Sequence, residues 1–439
     1  MAEEEAKVGT GLFTCEMTNN SGTRVIDITD VINVIEYYED ILSPSISVRL
    51  LIQDAANLKT FLPIVGGEKV VLKFSDSFAD TIKIRLDDEL NPLRVYKISS
   101  RERLRDKLEG YSILCTTDHM LKQQYMTVDR TYTNQLSSAI ASNVMGSYFN
   151  YEITELEETV GRHTFTFARV TPFQAINQLM TETESNLSGS SCYFFFQNND
   201  GYNLRNLDTM LSQPVRQVEE KDVQYQYITG ETGGDDQFQG TRILEYSETV
   251  SFDLLDGILG GQYGSRTQYF DPIRKRIDET DYIHETDHIE TVHSNRNPLI
   301  SANTVSDFGT SASIEKYMVS NYSSIFSDYI TSRDETIRNS FRRKQNIAGK
   351  RQAVLARIKN SKINIVVHGD SRIMVGQTIL LQFPTGGDIK ESDEQVDKFV
   401  SGKYLITAVH HNISDTDYKT VLTCVKDTYI KSPNDGGEL

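Results

Sequence analysis

Two stretches near opposite ends of this sequence carry the same run of strand signals, and that repeat constrains the fold more than any other feature. Val65-Gly66-Gly67-Glu68-Lys69-Val70-Val71-Leu72-Lys73-Phe74 lies against Val375-Gly376-Gln377-Thr378-Ile379-Leu380-Leu381-Gln382-Phe383 with one residue of slack. Downstream, Tyr96–Ser99 matches Tyr404–Thr407, and Tyr111–Cys115 matches Tyr418–Cys424, again with slack. The separation from Val65 to Cys115 and that from Val375 to Cys424 differ by one residue. The competing reading is two unrelated β segments that share Val and Tyr because strands favour both. If the repeat is genuine, one chain holds two copies of one β module separated by insertions. Three such chains would supply a ring of six β units.

The first ~120 residues read as strands throughout, with alternate residues apolar and breaks at Gly, Asn, Asp and Pro. Candidates are Leu12–Met17, Val25–Ile28, Ile32–Tyr38, Ser45–Ile52, Val70–Phe74, Ile82–Leu86, Arg94–Ser99 and Tyr111–Thr116. Their even spacing predicts a barrel or sandwich. From about residue 119 helical spacing enters, over Asn134–Tyr148 and Pro172–Glu184, the second with a Thr171 N-cap and Pro at the first helical position. Cys192–Gln197 and Tyr202–Leu207 flank Asn198-Asn199-Asp200-Gly201, a hairpin signal. Strand character returns at Arg242–Ser251. Residues 273–330 have weak periodicity and read as irregular strands and long loops. Ser332–Ile358 is the longest helical pattern, and Ile363–Val367, Thr378–Phe383, Tyr404–His410 and Tyr418–Val425 close the chain as strands.

At 439 residues the chain implies two to four domains of roughly 100–200 residues each. Its formal charge of −17, from 45 basic and 62 acidic residues, disfavours a nucleic-acid grip or docking on anionic lipid. Its apolar runs are strand-sized, short of the ~20 residues of a membrane-crossing helix. The start Met1-Ala2-Glu3-Glu4-Glu5 is acidic where a secretory signal is basic and then apolar, so assembly in a cytoplasm is expected. Cys15, Cys115, Cys192 and Cys424 lie far apart with no CxxC pair, which fits buried thiols and neither a disulfide framework nor a zinc site.

One motif invites an enzymatic reading. His284-Glu285-Thr286-Asp287-His288, with His293 beyond, matches His-Glu-x-x-His, which on a helix places two zinc ligands on one face with Glu285 as base. The surrounding Thr, Ile, Asp and Tyr disfavour a helix, and Thr291 and Ser294 stand where the longer protease motif has Gly and His. On a strand the two rings would lie about 13 Å apart. Structural or solvated histidines are the expectation, with no metal and no cofactor. His410-His411 falls in a strand, so its rings point to opposite faces and read as structural. The glycines Gly257, Gly260, Gly261 and Gly264 lack a phosphate-loop ending and read as a turn or a close backbone contact. Asp87-Asp88 and Asp235-Asp236 read as solvated loop acids. The 332–358 helix is basic, with Arg333, Arg338, Arg342, Arg343, Lys344, Lys350, Arg351 and Arg357. It is either a solvated face or a helix packed across a subunit boundary.

At Ile52-Gln53-Asp54, Leu58, Val65-Gly66-Gly67-Glu68 and the ending Ser401–His410 then Tyr418–Thr428, the sequence resembles the baseplate central hub proteins of contractile-tailed, T-even-like bacteriophages, and the related hub module of type VI secretion spikes. The resemblance implies an α+β, mainly β chain: two tail-tube-like antiparallel β-barrel domains with inserted α+β domains. The tube-like domains would span 10–120 and 216–270 plus 331–430. The insertion would span 121–215 plus 271–330, with disordered tails at 1–9 and 431–439. It further implies a non-enzymatic homotrimer in the virion baseplate, with no membrane insertion. The ring would join a sixfold tail tube or its initiator above to a threefold central spike below, among wedge proteins, and leave a channel through which DNA passes. A metal-dependent hydrolase and a receptor- or glycan-binding tail protein are the alternatives.

Overall fold

The computed structural model describes most of residues 11–283, residues 297–298 and 319–324, and most of 347–429. Outside the described residues lie 1–10, 229–240, 284–296, 299–318, 325–346, 386–395 and 430–439, and short stretches at 56–57, 59–61, 77–81, 88–91, 106–107, 219, 251–253, 263, 272–274, 357, 360 and 415–416.

The N-terminal strands are β1 (Gly11–Thr18), β2 (Val25–Asp27), β3 (Ile32–Asp40), β4 (Ser47–Asp54), β5 (Lys69–Asp76), β6 (Ile84–Leu86), β7 (Leu93–Arg105) and β8 (Leu108–Thr117). All eight coincide with the strands anticipated from alternation. The alternation is what makes the sheet one-sided: Val48, Leu50 and Ile52 of β4 and Val70 and Leu72 of β5 are buried while their neighbours are not, and Phe74 continues the buried row. They meet Cys15, Met17, Ile35, Tyr37, Val95, Ile113 and Cys115 in one core, at about 25 cal/mol per Å2 of apolar surface removed from water. β7 runs further than its apolar signal, and residues 101–105 of it are exposed.

The middle of the chain holds β9 (Val128–Leu136), β10 (Glu155–Leu156), β11 (Thr159–Val160), β12 (Arg162–Val170), β13 (Glu184–Ser185), β14 (Tyr193–Asn198), β15 (Gly201–Asn206), β16 (Gln217–Val218) and β17 (Lys221–Asp222). The helix anticipated from Asn134 starts at Ser137, because Leu136 is still extended and pairs with Arg162 in the β9–β12 ladder. The helix from Pro172 has the expected Thr171 cap as a full capping box with Gln174. It ends at Met180, short of Glu184, since Glu184 is held by β11. β14 and β15 form the anticipated hairpin, in which Asn198 faces Gly201 and φ of +132° at Gly201 suits a residue without Cβ. Aromatic side chains dominate this core, with Phe173, Phe195 and Tyr202 in mutual contact.

The remaining strands are β18 (Gln224–Gln226), β19 (Ile243–Val250), β20 (Gly264–Asp271), β21 (Arg276–Ile283), β22 (Asn297–Pro298), β23 (Val319–Ser324), β24 (Lys362–His368), β25 (Thr378–Gln382), β26 (Gly402–Ser414), β27 (Tyr418–Val425) and β28 (Thr428–Tyr429). Residues 273–330 are more regular than anticipated where described: β20 pairs with β21 antiparallel and with β23 in parallel. Gly257 lies inside a helix, Leu254–Leu259, and not in a turn. Gly260 packs so closely that an added Cβ would sit 3.0 Å from Cβ of Ala356. Ala356 belongs to the helical residues 347–356, the described part of the 332–358 pattern.

Strands from both ends of the chain join in a 14-stranded sheet with the order β19-β24-β27-β26-β3-β4-β8-β7-β5-β1-β2. β6 lies on β5, β25 lies on β26, and β18 lies in parallel on β25. The architecture is α+β and mainly β, as the sequence predicted. The repeat is visible in the hydrogen bonds. Gly67 N–H donates to Val95 O (2.7 Å) and Val95 N–H to Glu68 O (3.0 Å). In the second copy Gly376 N–H donates to Ile406 O (3.0 Å) and Ile406 N–H to Gln377 O (2.9 Å). Val95 pairs with Cys115 and is followed by a bulge, just as Ile406 pairs with Cys424 and is followed by one. Gly67, Val95 and Cys115 therefore correspond to Gly376, Ile406 and Cys424. The match of Tyr96–Ser99 to Tyr404–Thr407 is out of register by three residues, because it aligned Tyr with Tyr and the ladder aligns Tyr96 with Thr407.

Candidate assembly interface

The two modules are joined by strand pairing. Gly402–Leu405 of β26 pair with β25, and past the bulge at Thr407 the same edge takes β3, from Ala408 opposite Asp40 to Ser414 opposite Val34. β27 follows the other edge from Leu405 to Ile413, across the bulge. One strand thus belongs first to its own module and then to the seam.

The seam explains the histidine pair. His410 stacks on Tyr38, ring centroids 4.2 Å apart, on one face. His411 is fully buried on the other, its Nδ1 within hydrogen-bond reach of Tyr418 Oη (3.0 Å) and Thr420 Oγ1 (3.1 Å), with Tyr37 and Phe74 against the ring. Burial lowers its pKa to about 4, so it is a neutral packing group at physiological pH. Beside it, Gly369 leaves no room for a side chain: a Cβ there would meet the Tyr418 ring at 2.1 Å.

Three carboxylates, the buried Glu39 and Asp76 and the partly exposed Asp370, tie the seam to its surroundings. Glu39 of β3 accepts from Tyr37 Oη (2.6 Å), Asn199 N–H (2.8 Å) and Val375 N–H (3.0 Å), joining the first module, the β14–β15 hairpin and the second module at one side chain. Burial raises its pKa to about 7 against the pull of those donors. Asp76 accepts from Ser371 N–H (2.9 Å) and Oγ (2.6 Å) across the modules. Burial opposes the ionisation of Asp370, but Arg216 Nη2 (2.9 Å) and Arg372 Nε (2.8 Å) hold its pKa below the usual range. The hairpin also reaches back through Gln197 Oε1, which accepts from Thr117 Oγ1 (3.1 Å).

The sequence singled out none of these three acids, although Glu39 sits two residues after Tyr37, in phase with the buried side of β3. Asp87, read as a solvated acid, is buried, because the turn after β6 folds it onto Arg85 (2.9 Å) and Lys73 (3.6 Å). Asp88, Asp235 and Asp236 lie outside the described residues, as do His284, Glu285, His288 and His293 and, from the basic helix, Arg333, Arg338, Arg342, Arg343, Lys344 and Arg357. Arg351, which is described, points into its own chain and donates to Met180 O (3.2 Å) and Ser191 O (3.3 Å). The four cysteines are buried and none is in a disulfide, and burial raises the Cys15, Cys115 and Cys424 thiols above their ordinary range. Among the described residues, no group of three or more His, Cys, Asp or Glu side chains is placed to hold a metal ion. No helix among them is long and apolar enough to cross a membrane.

No family model and no curated protein matches the chain. Solved structures do. A tail protein from Neisseria meningitidis MC58 superposes with a TM-score of 0.52 at 10% identity, over 97% of this chain and 100% of that one. The 43 kDa tail protein of prophage MuSo2 from Shewanella oneidensis gives 0.52 at 11% identity, over 95% and 99%. The chain has a phage tail-protein fold. A prophage tail protein, gp18 from Listeria monocytogenes EGD-e, is more distant, with a TM-score of 0.42 at 8% identity over 93% and 94%. The tail-protein likeness anticipated from the Val65–Glu68 and Ser401–His410 motifs is therefore present at the level of the fold. In that fold the seam carries buried polar groups that bridge the two modules, Glu39 and Asp76 among them.

Proposed function

We propose that the chain is the structural hub of a contractile phage-tail baseplate. Three copies would form a ring in the virion, joining a sixfold tail tube or its initiator to a threefold central spike, with wedge proteins outside and a channel for DNA inside. The observation that carries this reading is the β26–β3 seam. It fuses two copies of one β module edge to edge, so each chain supplies two of six quasi-equivalent ring positions. Closed cyclic assembly is the usual outcome when such units meet head to tail. The domain division is proposed with it: tube-like modules at 10–120 and 216–270 plus 331–430, and an insertion at 121–215 plus 271–330. The ring is proposed to be assembled in the host cytoplasm and to act without enzymatic chemistry, bound metal or cofactor. Electron microscopy of the purified chain, alone and mixed with a cognate spike, tests the reading. Rings with six peripheral β units around an open centre support it. Particles of single-chain size in both samples contradict it.

A further inference from the structure

The middle of the chain is fastened to the N-terminal β module at two contacts of opposite chemistry. At the first, the short helix Asp118–Lys122 continues directly from β8. Asp118 holds it to the module, accepting from Arg94 Nε of β7 (2.7 Å) while its own N–H donates to Pro92 O (3.0 Å). His119 holds it to the aromatic core, its ring set among Phe149, Tyr151 and Tyr202 at centroid distances of 4.9, 5.5 and 5.7 Å. The residue is 8% exposed, and its Nδ1 has no hydrogen-bond partner. Its charged neighbours are Lys122 and Asp118, and Asp118 is already paired with Arg94 and Lys122. At the second contact, the tip of the β14–β15 hairpin is pinned by Asn199, whose N–H donates to Glu39 (2.8 Å) and whose Nδ2 donates to Lys83 O (3.0 Å). Among the described residues no Lys or Arg is paired with Glu39; it faces the Tyr37 hydroxyl and the Asp200 carboxylate, with the Glu155 charge near that.

We propose that the two contacts form a pH-dependent pivot: acid loosens the His119 joint while tightening the Glu39 joint, and alkali reverses both. An imidazolium at His119 would lose its water, and its Nδ1–H would find no acceptor, so the site favours the neutral ring. Burial, with Lys122 adding to it, lowers the His119 pKa from 6.5 to about 4 against the pull of Asp118. This joint is therefore intact above pH 6.5 and weakens as pH falls toward 4. Glu39 is the reverse case: a carboxyl enclosed without a cation, its pKa raised from 4.5 to about 7, favours the protonated form. That joint is strongest below pH 4.5 and weakens as pH rises through 7. Between pH 7 and pH 5 the two shifts imply that opening of the first joint rises about 20-fold and opening of the second falls about 40-fold. The gain and the loss nearly offset, so the middle of the chain stays attached while the point that holds it changes.

Hydrogen exchange of the full-length chain at pH 5, 6, 7 and 8, with rates corrected for their intrinsic pH dependence, tests the pivot. The Gln123 amide, which donates to His119 O, and the Phe173 amide, which donates to Gln123 Oε1 (3.3 Å), report the first joint. The Asn199 and Val375 amides, both donating to Glu39, report the second. From pH 7 to pH 5, corrected exchange should quicken about 20-fold at the first pair and slow about 40-fold at the second. His119→Phe keeps a ring in the aromatic site and removes the titrating group, and should flatten the first response while leaving the second. His119→Gln, with a neutral side chain, gives the same reading if the Phe variant does not fold. Exchange that changes in the same direction at both joints, or at neither, overturns the pivot, as does an acid response at Gln123 and Phe173 that persists in a folded variant.

Discussion

Replacing Glu39 by Gln isolates the most demanding group of the seam. The carboxyl receives three donors, from Tyr37, Asn199 and Val375, and is fully enclosed, with its pKa raised from 4.5 to about 7. A folded-state pKa above the unfolded value means that the fold favours the protonated form. The associated stability is fully present below pH 4.5 and is lost as pH rises through 7. At 1.36 kcal/mol per pH unit the loss is about 3 kcal/mol. The neutral acid keeps its contacts because the Tyr37 hydroxyl can turn from donor to acceptor. A glutamine carries no charge at any of these pH values, but its NH2 must face a donor, at a roughly constant cost of about 1–3 kcal/mol. Urea unfolding of both proteins at pH 5, 6, 7 and 8 separates the two effects. Wild type should lose about 3 kcal/mol relative to Glu39→Gln between pH 5 and pH 8, which closes or reverses the initial gap. Parallel profiles across that range would refute the assignment of a buried, protonatable carboxyl to this position.

Four other outcomes follow from the same structure. Gly369→Ala should destabilise the chain by at least ~1–3 kcal/mol, read as a lower urea midpoint, because its Cβ would overlap the Tyr418 ring. Asp370→Asn should cost about 3–5 kcal/mol at pH 7 by leaving the buried Arg216 without its charge partner, and the loss should vanish in acid where wild-type Asp370 is itself protonated. Elemental analysis of the purified chain should find no stoichiometric zinc or manganese; a metal lost on substituting His284 and His288 would restore the hydrolase reading. The assembled ring should not bind DNA even at low salt, as expected of an acidic lining in a chain of charge −17, whereas micromolar binding that weakens steeply with salt would mean a basic lining.

Strands that bury one face were legible to within a few residues, and Tyr418–Val425 was located to the residue, its buried positions Tyr418, Thr420, Leu422 and Cys424 falling at every second residue. The β9–β12 ladder was not, since Val128 and Tyr132 are the only fully buried side chains in β9 and its polar remainder gives no period. The repeat was visible in residues fixed by backbone geometry or deep burial: Gly67 and Gly376 at the strand starts, Cys115 and Cys424 in the cores. It was misread at Tyr96 and Tyr404, where side-chain type varies freely between the copies. The site was hidden because Glu39, Asp76 and Asp370 acquire their partners from distant parts of the chain. A single acid in a strand carries no sign that Val375 or Ser371 will meet it. The histidine pair was placed correctly because strand geometry alone forces its rings apart.

The central claim is that this chain works as a closed set of three. Native mass measurement of the purified full-length protein across micromolar concentrations tests it most directly. The account predicts a species at three times the 49.8 kDa chain mass that persists on dilution. A single-chain mass at every concentration, unchanged when a cognate spike is added, would contradict it.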